Sequence, residues 1–418
     1  MKRASRIVVI LSLLMFGAAP VLACLWDTDT LNMERRRFPD ALELINGKFL
    51  RHSTAFYEWR VKDRERRIAD DDSFELLDDL AVAYEKTGNH AKAIEIAEGM
   101  LERDPNRYET LANLGTFYVH DGQLQRGLEF IERAIEINPS AHFGRERYQK
   151  YLVEYVLSKT APDAQRPTLP LRDALEKEGH DAGLHPTEFT GLVGFAEFVV
   201  LQQLGEEPEE KRATTDEERR QRTARRDARH DAERRELEAA TKGVLGMMRF
   251  GNFESPVLLE ALGDLLLSGD TRNDSKRLAG RAYLKASYGV KDARTKRRFR
   301  EMADQTISGH MQMEVAQLER TFKRELAEAA NWYKRVEADE LAWIEQGVDV
   351  DAAFAEKYYS APTVGGPVAA VMTSQRASIV MWVLTLGVVA VVAVAAIAGL
   401  GLAIIIFRRK PSLPAKPA

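Results

Sequence analysis

Two long apolar runs bracket this chain, at 7–18 and at 378–407, and between them apolar residues recur every three or four positions. That spacing predicts a string of helices, each with one buried face. Ala41–Phe49 and Thr54–Asp70 form a first helix pair, and Arg145–Leu157 is an amphipathic helix further on. From Lys291 to Gln346 the pattern predicts one long helix, or two broken near Gly309. Along it Met311, Val315, Leu318, Phe322, Ala329, Trp332, Val336 and Trp343 keep a heptad-like rhythm that Glu325 and Asp339 interrupt. Such a stripe either pairs protomers through 311–343 or packs on the body of the chain, and Leu326 and Tyr333 widen it toward the second use.

Phe74–Pro139 repeats itself at an offset of 34. Leu77 matches Leu111, Leu80 matches Leu114, Tyr84 matches Tyr118, Gly88 matches Gly122, and Pro105 matches Pro139. Small residues recur at Ala81 and Gly115 and at Ala93 and Gly127. The period is that of one helical hairpin per unit: small residues let its two helices approach, the glycine turns the chain, and the proline ends the second helix. This resembles the tetratricopeptide repeat. A divergent third unit fits Leu259–Tyr288, where Leu262, Gly263, Ala279, Tyr283 and Ala286 keep the spacing if the turn is lengthened by Gly269–Asp274.

The resemblance implies a concave groove, lined by the first helix of each unit, that grips an extended peptide or a helix. Its lining would be Glu75, Asp78, Val82 and Glu85 in the first unit and Glu109, Ala112, Asn113, Thr116 and His120 in the second. Asn113 matches an asparagine of the family's carboxylate clamps, whereas Asp78 and Val82 depart from the clamp's lysine and asparagine. The implied partner is another protein or peptide, basic or neutral, rather than a C-terminal carboxylate.

The two ends predict topology. Lys2, Arg3 and Arg6, the short apolar run and Val21-Leu22-Ala23 form a secretory signal, leaving Cys24 at the mature N-terminus, where a bacterial lipoprotein carries its lipid. The stretch 378–407 has no charge and is followed by Arg408-Arg409-Lys410, which predicts one transmembrane helix with the tail inside and the body outside the bacterial cytoplasmic membrane.

Charge sharpens the picture. Seven of the 60 bases lie in the two ends and none of the 64 acids does, so 24–407 carries 11 more acids than bases. Nucleic acid and anionic lipid are thereby poor ligands. In 206–238 twelve acids and ten bases leave Leu237 as the one large apolar residue, so the segment is a solvated helical spacer or a disordered linker. A single cysteine excludes internal disulfides and thiolate zinc sites. No nucleotide-binding, zinc-protease or serine-hydrolase motif occurs. His180 and His185 read as surface histidines, Asp27 and Asp29 lack the remaining calcium ligands, and Asp70–Asp72 suit a helix start. No catalytic residue, metal or cofactor is expected.

The expected architecture is all-α: signal 1–23, helical segment 24–72, tetratricopeptide-like solenoid 73–160, helix and loops 161–205, charged linker 206–242, divergent hairpin 243–290, long amphipathic helix 291–346, flexible linker 347–377, transmembrane helix 378–407 and cytoplasmic tail 408–418. The function it implies is a membrane-anchored extracytoplasmic scaffold for protein–protein interaction. The alternatives are an accessory subunit of a membrane complex and an envelope hydrolase without a recognisable motif.

Overall fold

A computed structural model of the chain describes residues 25–34, 37–161, 164, 167–172, 192–206, 215–269, 273–307 and 314–359. All regular elements among them are helical. The signal, Cys24, His180, His185 and the 378–407 stretch lie outside the described residues. Among those described, no helix is long and apolar enough to cross a membrane.

The chain opens with α1 (Thr28–Glu34), α2 (Ala41–Asn46) and α3 (Thr54–Arg67). Two hairpins follow at the period of 34: α4 (Phe74–Lys86) with α5 (His90–Arg103), and α6 (Tyr108–His120) with α7 (Leu124–Ile137). Gly88 and Gly122 turn them at φ 83° and 86°, a left-handed conformation that glycine adopts without steric cost. Ser73 opens α4, but the aspartates before it do not cap the helix; Asp71 accepts from the Ser73 backbone N–H at 3.1 Å instead.

Helix α8 (Arg145–Ser158) then packs on α7, and α9 (Gly194–Leu204) and α10 (Asp216–Met247) pack on α8. The charged segment is not a linker that ends at 242. A capping box of Thr215 and Glu218 starts α10, which runs without a break from its solvated part into the core at Leu237, Ala240, Val244 and Met247. Continuous hydrogen bonding carries the chain across the expected boundary, so no joint exists there.

The third hairpin is α11 (Pro256–Gly269) with α12 (Asn273–Gly289), and Gly263 lies against the ring of Tyr283. A bent segment, 169–172, is pinned on this hairpin: Arg172 donates its backbone N–H to Glu260 (3.1 Å) and its Nε to Asp264 (2.7 Å).

The 291–346 region is two helices, α13 (Ala293–Ile307) and α14 (Val315–Gln346). The heptad stripe of α14 is consumed inside the chain. Leu318 and Phe322 join the core of α12 and α13, and Ala329 and Val336 are buried further along. Both interruptions of the rhythm find partners in the same chain: Arg281 donates twice to Glu325 at 2.8 Å, and Tyr358 donates to Asp339 at 2.5 Å. These buried residues are therefore unavailable as a coiled-coil seam between protomers. Nor is 347–377 a linker from its start. Gly347 ends α14, Asp349 caps α15 (Val350–Phe354), and Val350 and Phe354 insert into the core.

The repeats are not a separable domain either. Val119, Leu124, Leu128 and Ile131 belong to one apolar core with α2, α8, α10, α11 and α12.

Candidate functional site

The concave face of the two repeats is already filled by a segment of the same chain. Every residue of α6 except Glu109 is buried. In an open groove the face carrying Asn113 and Thr116 would be wet; here Leu25–Thr30 and α8 cover it. Leu25 is buried in the same apolar cluster as Val82, Leu114 and Phe117. Trp26 packs edge-on against Tyr108, with ring centroids 6.0 Å apart.

Asn113 reads the backbone of this occupant at two points. Its Oδ1 accepts from the Trp26 N–H at 2.8 Å, and its Nδ2 donates to the Trp26 carbonyl at 3.0 Å. An amide side chain used this way imitates a neighbouring β-strand, so it recognises extended backbone whatever the side chains. At the equivalent position of the first repeat, 34 residues earlier, Asp79 Oδ1 accepts from the Thr28 N–H at 3.1 Å.

The other expected groove residues are brought together on the same face, but their charges are spent internally. Asp78 accepts from Arg107 Nη1 (3.1 Å) and from Asn113 Nδ2 (3.3 Å), and burial pushes its carboxyl up to about 7 against the pull of Arg107. Glu109 stands 3.6 Å from Arg107 Nε. Glu85 faces His90 and His120, Thr116 accepts from Gln149 Nε2 at 3.1 Å, and Val82 lies under Leu25. Glu75 alone of the groove acids is exposed. The groove is thus much less acidic than its sequence.

Behind the occupant lies a cavity of about 460 Å³, lined among others by Asp27, His52, Tyr57, Lys86, Arg249 and Tyr333. Burial brings the Lys86 ammonium down to about 8, and its Nζ donates to the carbonyls of Phe250 (2.6 Å) and Gly251 (2.9 Å).

The occupant is tied at its far end by a buried charge network. Arg60, with its side chain 1% exposed, reaches Asp27 (3.3 Å), Asp29 (2.5 Å) and Asp351 (2.5 Å). Arg64 holds Asp79 at 2.9 Å and also contacts Asp351. His52 bridges Asp29 (Nε2, 3.3 Å) and Glu340 (Nδ1, 2.6 Å). The sequence reading missed Trp26, Asp79, Arg60 and His52. One signal was present: Phe56, Arg60 and Arg64 share the buried face of α3 at four-residue spacing, and an arginine on an apolar stripe requires buried acids.

The network makes stability depend on pH. Burial lowers the His52 imidazole, but Asp29 and Glu340 more than offset it and raise it to about 9 from 6.5. A raised folded-state pKa stabilises fully below pH 6.5, and the contribution is lost as pH climbs through 9. A shift of this size is worth roughly 3 kcal/mol. The stability difference between the wild type and His52→Gln should therefore shrink by about that much from the lower to the upper pH, in denaturant melts. The titrations of Lys86 and Lys285, buried and lowered to about 8 and about 7, have the opposite sign but are common to both proteins and cancel in the difference. A constant difference would contradict a charged His52.

Residues 74–107 and 108–140 each match the family model of the tetratricopeptide repeat. No curated protein and no solved structure matches the chain. The repeats support a role in binding another protein or peptide.

Proposed function

We propose that this chain is a membrane-anchored, extracytoplasmic interaction scaffold whose repeat groove takes a segment of a partner in place of its own residues 25–30. The observation that carries the reading is the two-point hold of Asn113 on the Trp26 backbone, a peptide-binding device in working geometry. The occupant suggests the competing ligand: an apolar residue and an aromatic one, for the places of Leu25 and Trp26, followed by acids that Arg60 and His52 hold. A basic partner has less support, since Asp78, Glu85 and Glu109 have cations beside them. The accessory-subunit reading is weakened because the α14 stripe is spent inside the chain.

Cleavage before Cys24 would place the new N-terminus one residue from the groove occupant, so the same event that anchors a lipid there would set the occupant's reach. Protease added to spheroplasts should remove the body and leave a small C-terminal stub; a body that survives until lysis overturns the topology. Mass spectrometry of Cys24 in the mature chain tests its lipidation.

The scaffold itself is tested by co-purification from detergent-solubilised membranes. Trp26→Ala loosens the occupant and should increase capture of dissociable clients. Asn113→Ala removes the hold on any extended backbone and should decrease it. Equal capture by the wild type and both variants would refute the groove as the binding site.

A further inference from the structure

At the loop edge of the two repeats, away from the peptide hold, three side chains of metal-ligand type converge. Glu85 lies in the last turn of α4, His90 begins α5, and His120 ends α6. Gly88 reverses the chain between the first two, so that His90 returns to Glu85 within five residues. Stacking of the second repeat on the first adds His120 from 35 residues away. One donor atom from each of the three lies within 4.8 Å of the other two.

We propose that Glu85, His90 and His120 form a binding site for a divalent transition-metal ion of the zinc class, which ties the turn of the first repeat to the end of the groove helix of the second. Two imidazoles and one carboxylate are a donor set that suits zinc and its first-row neighbours, and poorly suits magnesium or calcium, which take oxygen ligands. The carboxylate faces both rings at once: Oε2 is 2.8 Å from His90 Nδ1, and Oε1 contacts His120 Nδ1. Bonds of about 2.0–2.1 Å in a tetrahedral site set donors ~3.3 Å apart, so a small outward shift of the rings admits the ion.

The exposure of the two rings suits a metal site. His120 is 3% exposed, so its ring closes the inner side of the site from solvent. His90 is 28% exposed in its side chain, which gives an ion a path in from solvent and gives the ring room to adjust. Three protein ligands leave a fourth position for water.

The test uses the full-length chain in detergent, without an affinity tag and stripped with a chelator. Zinc titrated against a chromophoric competitor should bind at one ion per chain, and cobalt(II) at the same site should show the strong visible bands of tetrahedral coordination. Zinc should raise the melting temperature by mass action. His90 stands at the exposed edge, so His90→Ala keeps the fold, as its apo melting temperature verifies. That variant should bind zinc at least ~100-fold more weakly, since even a supporting residue outside the ligand set costs about 10–100-fold. Glu85→Gln should weaken binding as well. No stoichiometric zinc, or zinc affinity unchanged in His90→Ala or in Glu85→Gln, overturns the assignment.

Discussion

Gly127→Leu should destabilise the chain by about 3 kcal/mol or more, the upper end of what overpacking a core costs. The warrant is the contact between α6 and α7. A Cβ at Gly127 would stand 2.5 Å from Val119 Cγ2, 2.8 Å from the Gly115 carbonyl oxygen and 3.0 Å from the Val119 nitrogen. Two of those three atoms are backbone and cannot turn aside. Gly115 meets the reciprocal geometry, with its Cβ site 2.6 Å from Ile131 Cγ1 and 3.3 Å from the Gly127 carbonyl oxygen. Even alanine would force the helices apart at either position, and leucine adds three more carbons. Against the roughly 5–15 kcal/mol that holds a typical domain, such a loss is large. Gly99 in α5 provides the contrast. Nothing lies within 4 Å of its Cβ site, so Gly99→Ala should stabilise by about 0.5–1 kcal/mol through the helix preference of alanine. Denaturant melts of the full chain decide both, because the repeats share their core with the helices that follow. Gly127→Leu melting like the wild type would contradict the packing of this hairpin.

Arg60→Met should cost about 3–5 kcal/mol, the range for removing one partner of a buried ionic cluster. Methionine keeps most of the stem volume, so the loss is chiefly electrostatic. It leaves the buried Asp27 and Asp29 and the half-buried Asp351 grouped with Arg64 and His52 as the nearby cations. Burial and the neighbouring Asp29 already push the Asp27 carboxyl up to about 6 with Arg60 in place. Without it the carboxylates would titrate higher still, so the deficit should narrow on acidification, as protons replace the missing guanidinium. The occupant should also loosen, and limited proteolysis would then cut near residues 25–30. Arg66, on the same helix but 78% exposed in its side chain, pairs with Asp63 at 2.6 Å, and Arg66→Ala should change stability by no more than about 0.5 kcal/mol. Equal melts for the two variants would mean that the cluster is solvated.

What the sequence by itself determined is the part of this protein built from short-range contacts. The period of 34, the paired small residues and the turning glycines specify the hairpins, because a helix and the partner it folds back on lie within one repeat. Helix α8 and the divergent hairpin of α11 and α12 were legible for the same reason. Periodicity says that a face is buried but not against what, so the α14 stripe left a second protomer open as its partner, although its width leaned toward packing on the chain itself. Only the tertiary structure assigned it to α12 and α13, by matching Glu325 to Arg281, Phe322 to the ring of Tyr288 and Glu319 to Arg300.

The groove lay further from what a sequence can tell. Its lining residues were legible, yet their state was not, since a charged residue is solvated by default and is buried only where a distant partner meets it. Asn113 finds the Trp26 backbone 87 residues away, and Arg60 finds Asp351 across 291 residues. No local preference encodes such a meeting. It arises because closing the helices on one another brings the start of the body, the repeats and the end of α14 to a single place, where each buried charge is stable only in the presence of the others.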